Sequence, residues 1–158
     1  MAESGLMHSP ALKNTFQYEK MDTNTKGLLT ELNVASYVIK KGYSVSVPYG
    51  DKDRYDQIWD INGTLLKIQI KTSHWLNDKQ EAFEFKTESG YMKAHKNITR
   101  TYTKNEIDYF ATFFENRCYV VPVEECGATK ILRFSSNAKN QTTINWAKNY
   151  TFEEIIEK

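Results

Sequence analysis

The stretch Arg54–Ser73, with the sequence RYDQIWDINGTLLKIQIKTS, decides the fold of this chain. Asn62-Gly63 near its centre is a strong signal for a two-residue hairpin turn, because a type I′ turn needs positive φ at both central residues. Closure at this turn pairs Ile61 with Thr64. The turn therefore fixes the register of the two predicted strands.

Three polar side chains meet on one face of this predicted hairpin. In the predicted register Asp56 lies opposite Gln69, and Lys71 lies diagonal to Asp56 on the same face. Opposed residues of antiparallel strands have Cβ atoms about 5 Å apart. Ile68 and Ile70 point to the other face, which we expect to be the core side. An acid, a carboxamide and an ammonium group therefore converge, as metal-dependent phosphodiester cleavage requires.

Each of these side chains has a chemical role and an ordinary alternative. Asp56 can bind a hard divalent cation, and the side-chain oxygen of Gln69 can coordinate one more weakly. Lys71 can orient a water molecule or neutralise charge on a phosphate. In the alternative interpretation all three are solvated residues of a strand that has one face in water.

A helix is predicted before the hairpin. Asn24 or Thr25 can cap it, it runs to about Lys41, and Gly42 supplies the left-handed stop. Apolar residues that recur at helical spacing predict the face of this helix that is buried. They are Leu28, Leu32, Ala35 and Ile39.

Glu31 lies at the border of that predicted apolar stripe. Burying an unpaired carboxylate is costly, so we expect Glu31 to have a partner. The candidates are Lys71, an arginine or a metal-bound water, and a plain structural salt bridge is the alternative.

The remaining chain predicts a mixed α/β sheet flanked by helices, because hairpin-linked strands follow one helix. Residues 1–22 are expected to form a flexible N-terminal arm with a docking segment near Phe16, and residues 23–158 a single domain. Further strands are predicted at Tyr43–Pro48, Ala82–Thr87, Tyr109–Phe114, Cys118–Val123 and Lys130–Phe134. Short helices or turns are predicted from Thr103 by a capping box, at Thr143–Lys148 and at Phe152–Glu157. Glu88–Gly90 is expected to end a strand, and Tyr91–Tyr102 shows no clear period.

Composition sets outer bounds on function. The 158 residues carry a net charge of +1, so a nucleic-acid partner requires locally segregated basic residues. Cys118 and Cys126 predict free thiols in a reducing compartment, not a metal site. No apolar run is long enough to cross a membrane and no signal peptide is recognised, so we expect a cytoplasmic protein without a membrane partner.

Basic and aromatic residues interleave from Lys86 to Lys104, which indicates a DNA-contacting segment or, alternatively, a solvated polar loop. Arg54 and His74 flank the polar cluster and add to this set. The candidate DNA contacts are Arg54, His74, Lys86, Lys93, Lys96, Arg100 and Lys104.

In their order along the chain, Glu31, Asp56 and the Gln69-x-Lys71 motif resemble the PD-(D/E)XK nuclease superfamily. The Q-x-K branch, which includes group I intron-encoded homing endonucleases, is the most similar, and the resemblance covers about Thr23 to Tyr150. The segments that carry it are Thr25–Gly27, Thr30-Glu31, Gly42-Tyr43, Arg54–Asp56, Lys67–Thr72, Ile107–Ala111, Tyr119–Pro122, Leu132-Arg133 and Asn137–Tyr150.

This resemblance implies a restriction-endonuclease-like α/β core, with a four-stranded mixed sheet flanked by helices. It implies Mg²⁺-dependent hydrolysis of duplex DNA by a homo-oligomer, either a dimer or a tetramer. Mn²⁺ is expected to substitute for Mg²⁺. Asp56 and Gln69 would be metal ligands, Lys71 the water-orienting lysine and Glu31 the helical acid. The sequence departs from the superfamily pattern at Tyr55, where proline is usual, and at Gln69, where an acid is usual.

Three hypotheses follow from the sequence. The first is a Mg²⁺-dependent DNA endonuclease. The second is a catalytically weak or inactive DNA-binding module on the same fold, which the Gln69 substitution motivates. The third is a protein-interaction domain without nucleic acid, which the near-neutral net charge motivates.

Overall fold

The computed structural model describes residues 17–136 and 143–158. Residues 1–16 of the arm predicted at 1–22, including Phe16, and the 137–142 part of the C-terminal segment lie outside the described residues. The helices are α1 (Thr23–Lys40) and α2 (Phe152–Ile156). The strands are β1 (Ser44–Ser46), β2 (Gln57–Ile61), β3 (Thr64–Ile70), β4 (His74–Trp75), β5 (Ala82–Lys86), β6 (Glu88–Lys93), β7 (Lys96–Thr101), β8 (Tyr109–Phe114), β9 (Arg117–Pro122) and β10 (Thr129–Arg133).

Helix α1 begins with an aspartate cap. The carboxylate of Asp22 accepts hydrogen bonds from the Thr25 backbone N–H at 3.0 Å and from the Thr25 hydroxyl at 2.6 Å. The predicted cap at Asn24 or Thr25 is therefore wrong by two or three residues, because Asp22 satisfies the free N–H groups of the first turn. Gly42 has φ of +92°, which confirms the predicted left-handed stop after the helix.

The buried face of α1 is not the predicted one. Leu28, Leu32 and Ile39 are 57%, 58% and 57% exposed, whereas Val34 and Val38 are fully buried. At 100° per residue the two sets lie roughly 120° apart around the helix axis. The β-branched pair packs on the sheet, so the Leu28–Ile39 stripe is left in solvent.

The central sheet is mixed, as predicted. Its strand order is β1-β2-β3-β8-β9, and β3 and β8 are parallel while the other neighbours are antiparallel. The sheet has five strands, one more than the resemblance implies, because the short strand β1 extends the β2 edge.

Two hydrophobic cores lie on the two faces of this sheet. Helices α1 and α2 cover one face, where Val34 and Phe152 pack with Trp59, Ile68 and neighbouring residues. A three-stranded sheet of order β10-β5-β4 covers the other face. There the buried residues are Phe83, Phe85, Ile107, Phe110, Tyr119, Val121, Val123, Leu132 and Ala147.

The β2–β3 hairpin forms as the sequence predicts. Asn62 and Gly63 have φ of 53° and 91°, and Ile61 pairs with Thr64. The Asp60 side chain accepts a hydrogen bond from the Gly63 N–H at 2.7 Å, which stabilises the turn. This closure fixes the register that determines the position of every polar residue on β3.

A second hairpin replaces the predicted loop after β5. Strands β6 and β7 form a separate two-stranded sheet, with Lys93 paired to Lys96 and positive φ at Ala94 and His95 in the turn. We call residues 88–101 the β6–β7 ribbon. The prediction that Glu88–Gly90 ends a strand is wrong, because exposure on both faces removes the alternation that marks a half-buried strand.

The other predicted elements are mostly confirmed. The strands expected at 43–48, 82–87, 109–114, 118–123 and 130–134 are β1, β5, β8, β9 and β10. Thr103 starts a turn, and its N–H binds the Glu106 carboxylate at 3.0 Å. The Thr151 hydroxyl caps α2 by accepting from the Glu154 N–H at 3.3 Å. Instead of a helix at 143–148, a short 3₁₀ helix spans Ala147–Tyr150.

Both cysteines are free thiols, as predicted, with Cys118 buried and Cys126 partly buried. Within residues 17–136 and 143–158, no helix combines the length and the apolar character needed to span a membrane.

Candidate active site

Asp56 lies immediately before β2 and contacts the end of β3. Its Oδ2 accepts two hydrogen bonds of 2.7 Å, one from the Gln69 side-chain Nε2 and one from the Ile70 backbone N–H. The Asp56 N–H donates to the Ile68 carbonyl at 2.8 Å. The contact between Asp56 and Gln69 is the one that the hairpin register predicts.

Gln69 presents its amide nitrogen to the oxygens around it. Nε2 donates to Asp56 Oδ2 and, at 3.3 Å, to the Ile70 carbonyl. In this orientation the Gln69 side-chain oxygen does not face Asp56. The two N–H donors of the amide thus satisfy two oxygens that could otherwise bind a cation.

Lys71 extends from the end of β3 toward the base of the β6–β7 ribbon. Its Nζ donates to the Glu88 carbonyl at 3.3 Å and lies 5.3 Å from the centre of the Tyr102 ring. Burial lowers the pKa of Lys71; the Asp56 carboxylate opposes this change and the Arg54 guanidinium adds to it. The ammonium group is therefore partly dehydrated and close to the carboxylate cluster.

Glu31 approaches the same cluster from α1. Burial first, and then the Asp56 carboxylate, raise the pKa of Glu31. Among the described residues no side chain forms an ion pair or a hydrogen bond with the Glu31 carboxylate. The ion pair that we expected between Glu31 and Lys71 or an arginine is therefore absent from the described residues, and so is a structural salt bridge of Glu31.

The pKa of Asp56 is shifted in the same direction as that of Glu31. Burial raises its pKa, although the Ile70 N–H and the Lys71 charge both act to lower it. Both carboxylates are partly buried, the Asp56 charge adds to the shift of Glu31, and neither forms a close ion pair with a cation within the described part of the chain. Placing a cation here would relieve both, because an opposite charge favours the ionised form of each acid.

The donor set fits a hard divalent cation. Carboxylate oxygens of Asp56 and Glu31 and the Ile70 carbonyl are the ligand types that Mg²⁺ prefers. No group of three His, Cys, Asp or Glu side chains with metal-binding spacing occurs in residues 17–136 and 143–158. Gln69, the side chain that contacts Asp56, is an amide and not an acid.

Gln57 links two elements beside the cluster and was not among the residues marked in the sequence. Its Nε2 donates to the Glu31 carbonyl at 2.9 Å, and its Oε1 accepts from the Trp59 indole N–H at 3.0 Å. Gln57 is buried and thereby ties α1 to β2 beside the cluster. The sequence did contain an indication of this contact, because the Gln57 amide lies on the same strand face as Trp59 and that face is the core face.

Arg54 is held between the central sheet and the ribbon. Its Nη1 donates to the Ser89 hydroxyl at 2.7 Å and its Nη2 to the Thr101 carbonyl at 3.0 Å. Its guanidinium carbon lies 3.8 Å from the centre of the Tyr102 ring, and Nε lies 3.2 Å from Glu106 Oε1. The Nε contact has no hydrogen-bond geometry, so it is a charge contact only. Arg54 thus acts as a strut, in the sense that it connects the segment before β2, which carries Asp56, to the base of the ribbon.

The other predicted DNA contacts divide into two groups. His74 and Arg100 pair with acids, at 3.1 Å to Glu84 and in a close ion pair with Glu106 respectively. Lys104 lies 3.5 Å from an Asp108 oxygen and 3.4 Å from a Glu124 oxygen. The second group, which is exposed on β5 and on the ribbon, consists of Lys86, Lys93 and Lys96.

The chain is similar to known endonucleases in sequence and in fold. The sequence model of the family described as PD-(D/E)XK endonuclease matches residues 21–153. The solved structure of I-Ssp6803I, a bacterial homing endonuclease, is similar to this one with a TM-score of 0.68 and 23% identity. The alignment covers 83% of this chain and 89% of that one, and at this identity it shows the fold alone. A search of curated proteins returned no match.

Proposed function

Because the chain belongs to the PD-(D/E)XK endonuclease family, we propose that it is a Mg²⁺-dependent endonuclease that hydrolyses phosphodiester bonds of duplex DNA. One observation carries this proposal. Asp56, Gln69 and Lys71 meet at the open end of the β2–β3 hairpin, and Glu31 approaches them from α1 with a carboxyl group whose pKa the Asp56 charge helps to raise.

Asp56, Gln69 and the Ile70 carbonyl would hold the cation. For Gln69 to be a ligand, its amide must turn so that Oε1 replaces the Nε2 that now faces Asp56. When bound, a divalent cation lowers the pKa of a coordinated water and stabilises negative charge on the phosphate. Mn²⁺ is expected to substitute for Mg²⁺, because both accept this set of oxygen ligands.

The chain's own groups orient the reactants. The Lys71 ammonium donates hydrogen bonds to the attacking water or to a phosphate oxygen, and partial dehydration strengthens these bonds. The Glu31 carboxylate accepts a hydrogen bond from the attacking water, because no other described group uses its oxygens. The Gln57 bond to the Glu31 carbonyl fixes the helix backbone at this point.

The test is nicking of supercoiled plasmid in MgCl₂, in MnCl₂ and in EDTA. We expect Lys71→Ala and Asp56→Ala to lose cleavage by at least about 100-fold, as loss of a charged catalytic group does in other enzymes, while DNA binding persists. Lys67→Ala is the matched control, since Lys67 lies on the same strand and face, with its Nζ bound to the Asn105 carbonyl at 2.7 Å. Wild-type protein that binds DNA but cleaves no plasmid, branched or single-stranded substrate would refute the catalytic proposal.

The orientation of Gln69 favours one alternative, a DNA-binding module without cleavage. The Nε2 contact with Asp56 satisfies the carboxylate without a metal. This alternative predicts salt-dependent DNA binding that Lys71→Ala does not alter, with no nicking by the wild type. Metal-dependent nicking that disappears in Lys71→Ala would exclude it. DNA binding at moderate salt that weakens when Lys93, Lys96 and Arg100 are replaced would exclude the third hypothesis, a protein-interaction domain.

Each chain carries one candidate catalytic cluster in its described part, and cutting both strands of a duplex in one binding event favours an assembly with two such clusters. We therefore propose that the active form is a homo-oligomer, a dimer or a tetramer. Measuring the mass in solution by light scattering, with and without duplex DNA, tests this proposal. A monomer under conditions of double-strand cleavage would contradict it.

A further inference from the structure

The β6–β7 ribbon is the one two-stranded sheet that stands apart from the two larger sheets in the described part of the chain. Each of its strands has six residues, which gives a length of about 20 Å. The major groove of B-DNA is about 12 Å wide and admits a two-stranded ribbon, whereas the minor groove is about 6 Å wide. The dimensions of the ribbon therefore match the major groove.

The two faces of the ribbon differ in chemistry. Paired residues share a face, so Met92 lies beside Asn97 and Gly90 beside Thr99. We call this the reading face, and all four of its residues are exposed and uncharged. An Asn side chain can bind adenine with two hydrogen bonds, and Thr and Met can contact a thymine methyl group.

The opposite face combines anchoring at the base with positive charge at the tip. Ser89 and Arg100 contact Arg54 and Glu106 of the body, which holds the base of the ribbon. Lys93 and Lys96 lie opposite each other at the tip, and both are exposed. Cations at the rim of a groove contact phosphates, which position the protein without reading sequence.

The base of the ribbon also contacts the candidate active site. The Glu88 carbonyl, at the first residue of β6, accepts the Lys71 ammonium at 3.3 Å. Met92, the partner of Asn97, is four residues further along β6, or about 13 Å at 3.3 Å per residue. Since base pairs are stacked about 3.4 Å apart, this distance corresponds to about four base pairs.

We propose that the β6–β7 ribbon enters the major groove of the DNA substrate, with Thr99 and Asn97 reading base edges about two and four base pairs from the cleaved bond while Lys93 and Lys96 bind the flanking phosphates. This inference rests on the proposed endonuclease function and names the element that recognises the substrate. The reading face supplies specificity and the tip supplies affinity.

The test uses a library of duplexes with a randomised central segment. Ends produced by cleavage in MnCl₂ are sequenced, and the duplexes retained in a gel-shift experiment in EDTA are sequenced as a readout independent of catalysis. We expect the wild type to show a base preference about two to four base pairs from the cut. Asn97→Ala should relax that preference by about 10-fold or more at one position, while its total DNA binding stays near the wild-type value.

The double variant Lys93→Ala/Lys96→Ala should behave differently. It should weaken binding evenly across sequences and reduce the slope of log K against log salt by about 2, because two phosphate contacts are lost. Matched controls are Asn149→Ala for the amide and Lys40→Ala/Lys79→Ala for the lysines, all at exposed positions away from the ribbon. All variants change exposed side chains, and thermal melts confirm that each is folded.

The outcomes separate this inference from the proposed function. Wild-type cleavage with a preference that Asn97→Ala leaves intact, or with no preference near the cut, overturns the ribbon proposal and leaves the nuclease standing. An unchanged salt slope in the lysine variant also overturns it. A wild type that neither binds nor cuts the library overturns the proposed function and the inference together.

Discussion

Replacing Arg54 tests whether it is a strut or a DNA contact. The side chain is 24% exposed and its donors are used by Ser89 and the Thr101 carbonyl, at 2.7 and 3.0 Å. The sequence suggested a phosphate contact at Arg54. In the structure a phosphate would have to compete with these partners and with the Tyr102 ring 3.8 Å away.

The size of the effect can be worked out from these contacts. A hydrogen bond to a charged group contributes about 1.5 kcal/mol at the lower end of its range, and a partly dehydrated cation–π contact about 1 kcal/mol. Two such hydrogen bonds and one ring contact, reduced for partial exposure, predict that Arg54→Ala lowers the free energy of unfolding by about 2–4 kcal/mol. For a domain of this size that is a fall of about 6–12 °C in Tm. Arg54→Lys keeps the charge but loses the two-pronged geometry, so about half of this loss is expected.

The assays are thermal and urea unfolding, together with hydrogen exchange of the ribbon amides. Arg54→Ala should speed exchange in residues 88–101 more than elsewhere, because the base of the ribbon loses its anchor. The matched control is Arg100→Ala. Arg100 shares the acid Glu106 but is 58% exposed, so its loss should cost less than about 1 kcal/mol.

One result would refute this reasoning. If Arg54→Ala unfolds like the wild type while DNA affinity falls and the salt slope drops by about 1, the guanidinium is a phosphate contact and not a strut.

Three further predictions concern the carboxylate cluster and its supports. Burial raises the pKa of Glu31, so ionising this carboxyl group destabilises the fold. In EDTA, Glu31→Gln should therefore have the same Tm as the wild type below about pH 4 and a higher Tm as the pH rises through the folded-state pKa. A difference in Tm that does not change with pH would contradict this. Saturating MgCl₂ should raise the Tm of the wild type at pH 7 and leave that of Asp56→Asn unchanged, and equal shifts would place the cation elsewhere. Gln57→Leu should lower the free energy of unfolding by about 2–3 kcal/mol, because the Trp59 N–H and the Glu31 carbonyl lose the Gln57 side chain as a partner. The same variant should cleave more slowly although Lys71 is unchanged. Thermal melts measure the first effect, and plasmid nicking measures the second.

The contact between Asp56 and Gln69 was predictable because it depends on a local signal. The Asn62-Gly63 turn has one compatible length and conformation, so it transmits the register along the strands to a pair of residues 13 positions apart. The position of Glu31 near this pair was anticipated less completely. The sequence marked its carboxylate as costly to bury, but not that Asp56 would be the charge it faces.

The buried face of α1 could not be read from periodicity alone. The helix has two apolar sets, and the larger residues Leu28 and Leu32 dominate the pattern. The sheet selects Val34 and Val38 because its own surface, formed by distant residues such as Ile68, meets that side of the helix. Helix amphipathicity therefore predicted the element and missed its orientation.

The ribbon was invisible for a different reason. Its strands are exposed on both faces, so hydrophobic alternation is absent, and its turn at Ala94-His95 lacks the usual glycine. The role of Arg54 depends in turn on the ribbon, since its partners lie 35 and 47 residues further along the chain. The contacts of Arg54 therefore could not be predicted while residues 91–102 were taken for a segment without regular structure.

The burial of both native thiols makes the chain suitable for site-directed labelling. Burial raises the pKa of Cys126 to about 12 and raises that of Cys118 further, so neither forms much thiolate at neutral pH. A cysteine introduced by Met92→Cys, at a position 66% exposed, would be the one readily alkylated by a maleimide dye. Such a dye would sit on the ribbon and report by fluorescence when duplex DNA arrives, with the unmodified cysteines contributing little background.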